Sequence, residues 1–232
     1  MLFLFDIDGT LLGGATRVHR EALHGALLEI HGVDAQTVRG PLSPAGRTDG
    51  EIARAILVGA GVDIQRIDER ADAVTQTCCQ IYAQLSTADL SHTVLPGMRE
   101  LLNWLSAREQ AALGLVTGNF EPVARLKLGR AGIGGHFPPG QGAFGSDSEA
   151  RAALPAIARA RAGTPGVPHP RERTLVIGDT PRDIACARAD QLRCVAIATG
   201  PHPPEELGDA DAVVRDGWEL RVTLERLLAG DA

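Results

Sequence analysis

Short apolar runs recur along the chain, and each closes in small or acidic residues: "LFLFDID" (2–8), "ALGLVTG" (112–118), "GAFGSD" (142–147), "RTLVIGD" (173–179), "RCVAIAT" (193–199) and "DAVVRD" (211–216). Runs of this length bounded by turn residues read as buried strands. Between several of them the pattern turns helical, at 122–131, 148–162 and 181–189. Alternation of strand and helix predicts an α/β fold, a parallel sheet covered on both faces. In such sheets ligands bind beyond the carboxyl ends of the strands. Asp6, Thr117, Asp147 and Asp179 all fall there.

Residues 15–92 break the rhythm. They hold no convincing strand but helical stretches near 18–31, 50–59 and 65–85, with Leu, Ile, Val and Ala close to helical spacing. Gly- and Pro-rich joints flank them: "GGAT" (13–16), "RGPLSPAGR" (39–47) and "LPG" (95–97). The organisation expected is a Rossmann-like, doubly wound core of residues 1–14 and 93–232, carrying a small all-helical cap domain over 15–92. Hinges are expected near 13–16 and 90–96.

Composition narrows the partners. A net charge of −6 and an aromatic content of 3% argue against nucleic acid, which asks for a basic surface and stacking platforms. No stretch reaches the roughly 20 apolar residues of a membrane span. The apolar start lacks a basic leader and acids interrupt it at position 6, so it reads as a strand and not as a signal peptide. Cys78, Cys79, Cys186 and Cys194 have neither CxxC spacing nor a zinc pattern, and read as the reduced thiols of a cytoplasmic protein. Of the 23 basic residues only Lys127 is lysine.

The chemistry sits at the strand ends. Asp6 and Asp8 are like charges with a single residue between them on the exit of the first strand, a costly arrangement that suggests a cation, a shared proton or a reaction. "DIDGT" (6–10), "VTGN" (116–119), Arg151 after "GSDSEA", and "GDTPRD" (178–183) follow in that order, each after an apolar run. Together they resemble the four motifs of the haloacid dehalogenase superfamily, across almost the whole chain. The helical insert resembles the caps of its phosphoglycolate phosphatases and β-phosphoglucomutases.

The resemblance implies a phosphatase for a small phosphorylated metabolite, acting through an aspartyl-phosphate. Asp6 is then the nucleophile and Asp8 the general acid and base. Mg²⁺ is held by the Asp6 carboxylate, the Asp8 backbone carbonyl and Asp179, with Asp183 direct or through water. The Thr117 hydroxyl and the amides of Gly118 and Asn119 take phosphate oxygens. The family's third motif is usually lysine, whereas here that position is Arg151, whose guanidinium can grip phosphate bidentately. Lys127 is the competing cation. It lies ten residues past Thr117, roughly 15 Å along a helix at about 1.5 Å per residue, a poor reach.

Other positions have plainer readings. Thr180, Pro181 and Asp183 form a helix start as well as a motif. Asp147 is a candidate N-cap for the helix carrying Arg151. Thr48 and Glu51 match a capping box, which leaves Arg47 as a substrate contact. His19 and His24 read as solvated or core residues of a cap helix, and Trp104 and Trp218 as packing. A phosphomutase shares the first half-reaction, and a haloacid dehalogenase or a phospho-acceptor signalling domain are the remaining alternatives. The assembly expected is a monomer or homodimer.

Overall fold

The computed structural model describes residues 1–38 and 44–230. Five parallel strands, β1 (Leu2–Phe5), β2 (Ala112–Leu115), β3 (Thr174–Gly178), β4 (Arg193–Ile197) and β5 (Ala212–Val214), lie in the order β2-β1-β3-β4-β5. Pairing is in register from Leu2 beside Ala112 and Thr174 to Phe5 beside Leu115 and Ile177.

The alternation of β1 decides how both faces are covered, because successive side chains point to opposite sides. Phe3 and Phe5 pack with Met98, Leu101, Leu102 and Leu105 of α5 (Met98–Ser106) and Leu220 and Leu224 of a C-terminal helix, Gly217–Gly230. Leu2 and Leu4 face the other way, onto Leu154 and Ala158 of Leu154–Ala162 and Ile184 and Ala187 of Pro181–Ala189. In chain order the helices are α1 (Thr16–His31), α2 (Asp49–Gly59), α3 (Ile64–Glu69), α4 (Ala71–Leu85), α5, α6 (Glu121–Arg130), α7 (Leu154–Ala162), α8 (Pro181–Ala189) and α9 (Gly217–Gly230).

Helices α1 to α4 follow β1 directly. Their apolar stripes meet in a third cluster built on Leu23, Leu27, Leu57, Val74, Cys78 and Tyr82, closed from below by Phe120 and Val123 at the start of α6. The stretch expected as one helix over 65–85 is two, broken where Arg70 takes φ −113° and ψ 6°. The chain leaves and re-enters the sheet layer along one seam: Gly13 N donates to Thr93 O at 2.8 Å, and Leu95 N to Leu11 O at 3.0 Å.

Two expectations need correction. Residues 142–147 are not a strand. Ala143 makes a single bridge to Val116, after which the Phe144 N–H donates to the Asp147 carboxylate at 2.9 Å. That side chain competes with a neighbouring strand for the backbone and wins. The helix expected over 148–162 begins late: Arg151–Ala153 is a 3-10 turn and α7 starts at Leu154. Of the joint at 39–47, residues 39–43 lie outside the described residues.

Candidate active site

One further sheet bond, Asp6 N to Ile177 O at 2.9 Å, fixes Asp6 just beyond β1. The chain then turns back on itself, with the N–H groups of Leu11 and Leu12 both reaching Ile7 O at 2.9 Å. Gly9 sits in this turn at φ +88°, and a Cβ there would collide with the Asp179 carboxylate. Asp6 and Asp8 thereby reach the carboxyl edge of the sheet beside Asp179, which follows β3. Each has its own set of neighbours.

Around Asp6 the chemistry is acidic. Asp6, Asp179 and Asp183, all buried, bring carboxylate oxygens within 4.8 Å of one another. Arg151 answers them: its Nη2 lies 3.2 Å from Asp6 Oδ1 and bonds Asp183 Oδ1. Asp183 also closes the capping box of α8, its Oδ2 accepting from the N–H of Thr180 at 2.9 Å and its hydroxyl at 2.7 Å. Asp179 Oδ1 accepts from the Thr10 hydroxyl at 2.8 Å. Three carboxylates facing one guanidinium leave two charges unbalanced. Burial, and then the charge of Asp183, push the Asp179 carboxyl up from its ordinary range; burial does the same to Asp6, against the pull of Arg151. This donor set is all oxygen, buried and short of positive charge, so it fits one hard dication.

Around Asp8 the chemistry is basic. Lys127 Nζ donates to Asp8 Oδ2 at 2.6 Å and to Asn119 Oδ1 at 2.7 Å, and lies 3.1 Å from His19 Nδ1. Asn119 Nδ2 donates to Asp8 Oδ2 at 2.9 Å and to Thr117 Oγ1 at 3.0 Å. Burial works against the Asp8 charge, but the Lys127 ammonium and the hydrogen bonds from Lys127 and Asn119 oppose it, and the carboxyl is held below its ordinary range. His19 Nε2 lies 3.0 Å from Asp49 Oδ2, and that carboxylate accepts from the Phe120 N–H at 2.7 Å.

Asp6, Asp8, Gly118, Asn119, Arg151 and Asp179 line one cavity of about 970 Å³, whose other wall is built from α1 and α2. Arg47 lines it too, paired with Glu51. Thr117 and Asp183 are fully buried and stand behind the lining residues.

The expectation that Lys127 falls short is wrong. Helix α6 starts at Glu121, so Lys127 is only about 9 Å into it at about 1.5 Å per residue. Helical side chains lean toward the N-terminus, and the fully buried Lys127 side chain runs back along that direction to the strand end. His19 and His24 lie on α1 as expected, His19 buried and His24 half-buried, and both line the cavity. Thr48 caps α2 as expected, accepting from Glu51 N at 3.1 Å, but the Glu51 carboxylate turns to Arg47 and does not close the box. Asp147 caps no helix; it holds its own turn and pairs with Arg161 at 2.6 Å. Gly200 was invisible to sequence reasoning: it sits after β4, and a Cβ there would occupy the space of the Asp179 carboxylate.

Comparison with known proteins shows the family. The haloacid dehalogenase-like hydrolase family model matches residues 1–189. A phosphoglycolate phosphatase of Rhodospirillum rubrum is 31% identical over 207 residues, 85% of this chain and 79% of that protein. One from Pseudomonas fluorescens is 25% identical over 201 residues, 86% of this chain and 70% of that protein. The fold is that of a hydrolase from Pseudomonas syringae, with a TM-score of 0.66 at 24% identity over 97% of this chain and 99% of that one. The chain belongs to the haloacid dehalogenase-like hydrolase family, and within it to the phosphatases.

Proposed function

We propose that this enzyme is a Mg²⁺-dependent phosphatase that hydrolyses a small phosphomonoester, of the phosphoglycolate or sugar phosphate type, through a phosphoryl group carried on Asp6. The observation that carries the reading is the division of labour between two aspartates two residues apart. Asp6 lies among carboxylates and a guanidinium, while Asp8 lies between an ammonium and an amide, and both open onto one cavity.

Asp6 attacks phosphorus in line with the departing oxygen. Arg151, whose Nε is buried without a hydrogen-bond partner among the described residues, offers its remaining donors to the phosphoryl oxygens. The backbone amides of Gly118 and Asn119, ahead of α6, add neutral donors on the same side, with Thr117 behind them. Asp8 protonates the leaving alkoxide and then takes the proton of the water that hydrolyses the intermediate. Asp6, Asp179, the Asp8 backbone carbonyl and Asp183 are the candidates to hold Mg²⁺, which would neutralise charge building on the transferred group.

Residues 15–92 serve as the cap, and the seam where 11–13 run beside 93–95 is its hinge. Arg47 is a candidate substrate contact on the cap side. The two relatives that are phosphoglycolate phosphatases favour a short acidic ester, and the cavity also has room for a sugar phosphate. A cytoplasmic setting accords with four free thiols, and no helix among the described residues is long and apolar enough to cross a membrane.

Phosphate release from a panel including phosphoglycolate and sugar phosphates, with Mg²⁺ and with EDTA, tests the reading. Metal-dependent release with one clear preference is expected. No release from any ester, with Asp6 still phosphorylated by a bisphosphate, would show a mutase instead. A second test addresses the cradle. Gly200→Ala forces the Asp179 carboxylate aside, so the Mg²⁺ concentration for half-maximal activity should rise about tenfold or more, about 1.4 kcal/mol. An unchanged Mg²⁺ requirement would take Asp179 out of the metal set.

A further inference from the structure

Lys127 is the one wholly buried ammonium of the chain, and the mechanism above does not use it. An ammonium has three hydrogens and no lone pair. Lys127 has three acceptors within reach: Asp8 Oδ2 at 2.6 Å, Asn119 Oδ1 at 2.7 Å and His19 Nδ1 at 3.1 Å. Its side chain is 0% exposed, so each hydrogen has a protein partner and none remains to receive a phosphate oxygen.

The consequence falls on Asp8. Its Oδ2 faces two donors, Lys127 Nζ and Asn119 Nδ2, and neither can accept a hydrogen bond in return. A proton on Oδ2 would point at one of them. The other oxygen, Oδ1, is buried and has no hydrogen-bond partner among the described residues. We propose that Lys127 is a positioning residue for the acid–base step: with Asn119 it fixes Asp8 through Oδ2, so that Oδ1 is the one atom that gives and takes the proton. This rests on the phosphatase reading and adds to it the atom that carries the proton and the residue that selects it.

The step balances. In the first half-reaction an Asp6 oxygen bonds to phosphorus, the bond from phosphorus to the ester oxygen breaks, and the proton on Asp8 Oδ1 moves to that oxygen. In the second, water bonds to phosphorus and gives its proton to Oδ1, while Asp6 leaves as carboxylate. Throughout, Oδ2 keeps both donors, whether it is a carboxylate oxygen or the carbonyl oxygen of the acid. Lys127 is itself held from the helical insert, through His19 Nδ1 at 3.1 Å; His19 Nε2 lies 3.0 Å from Asp49 Oδ2 but has no hydrogen-bond partner among the described residues.

The test is kcat/KM for an alkyl phosphate and for p-nitrophenyl phosphate, in the wild type and in Lys127→Met. The ratio kcat/KM reports the steps through phosphorylation of Asp6, where a poor leaving group needs the proton and nitrophenolate does not. Positioned general acids contribute about 10²–10⁴-fold. The expected result is a loss of about 100-fold or more for the alkyl ester with less than about fivefold for the aryl ester. Equal losses for both, or a rise in KM with kcat held, would overturn the proposal in favour of a packing or a phosphate-binding role. Should Lys127→Met not fold, Lys127→Gln, polar but uncharged and one atom shorter, is read by the same criterion. A wild type that hydrolyses neither ester would instead sink the phosphatase reading, an outcome separate from equal losses in an active enzyme.

Discussion

Asp6→Asn should lose turnover by at least about 10⁴-fold, about 5.4 kcal/mol of barrier, and acid quenching should trap no phosphoenzyme. An amide oxygen is a far weaker nucleophile than a carboxylate, and two of the neighbouring carboxylates are already engaged: Asp8 through Oδ2 with Lys127 and Asn119, and Asp183 with Arg151 and the start of α8. The variant should still fold. Asp6 is 5% exposed, burial opposes its charge, and Asp183 and Asp8 repel it, so removing the charge relieves strain even as Arg151 loses one partner. Steady-state rates with circular dichroism and an acid-quench assay separate these effects. A folded Asp6→Asn protein within tenfold of wild type would place the nucleophile elsewhere.

How much of this was legible in the sequence follows from the range over which each signal acts. The β1 run and the two aspartates after it are local, and local pattern reads them correctly. The capping box of α8 is local too, since Thr180, Pro181 and Asp183 lie within one turn. The family resemblance found Arg151, and the structure brings its guanidinium to Asp6. What failed was local pattern applied to a tertiary question. Lys127 meets Asp8 across 119 residues and His19 across 108, and axial distance along one helix says nothing about which way a buried side chain leans. The converse holds at 142–147, where an apolar pair among glycines resembles a strand until the Asp147 side chain claims the backbone. Gly200 gives no local signal at all, because its reason is the space taken by Asp179 from another strand.

Asp179→Asn should abolish the response to Mg²⁺, with turnover falling about 10²–10³-fold, the range over which removing one electrostatic stabiliser costs an enzyme. The effect on stability should run the other way. Without a cation the wild type holds three buried carboxylates against the single guanidinium of Arg151, and Asp179 has only the Thr10 hydroxyl as a side-chain donor among the described residues. Replacing one of these charges by an amide of the same shape removes repulsion while keeping an oxygen for Thr10. The metal-free variant should therefore melt at or above the temperature of the metal-free wild type. Mg²⁺ at about 100 times its dissociation constant should stabilise the wild type by about 2.7 kcal/mol and the variant hardly at all. Thermal melts of both proteins with Mg²⁺ and with EDTA read all four values. If Mg²⁺ leaves the wild type unmoved, or if the metal-free variant is much the less stable, then the three aspartates are a structural network around Arg151. In that case the charge on the transferred phosphoryl group is met by Arg151 and backbone amides alone.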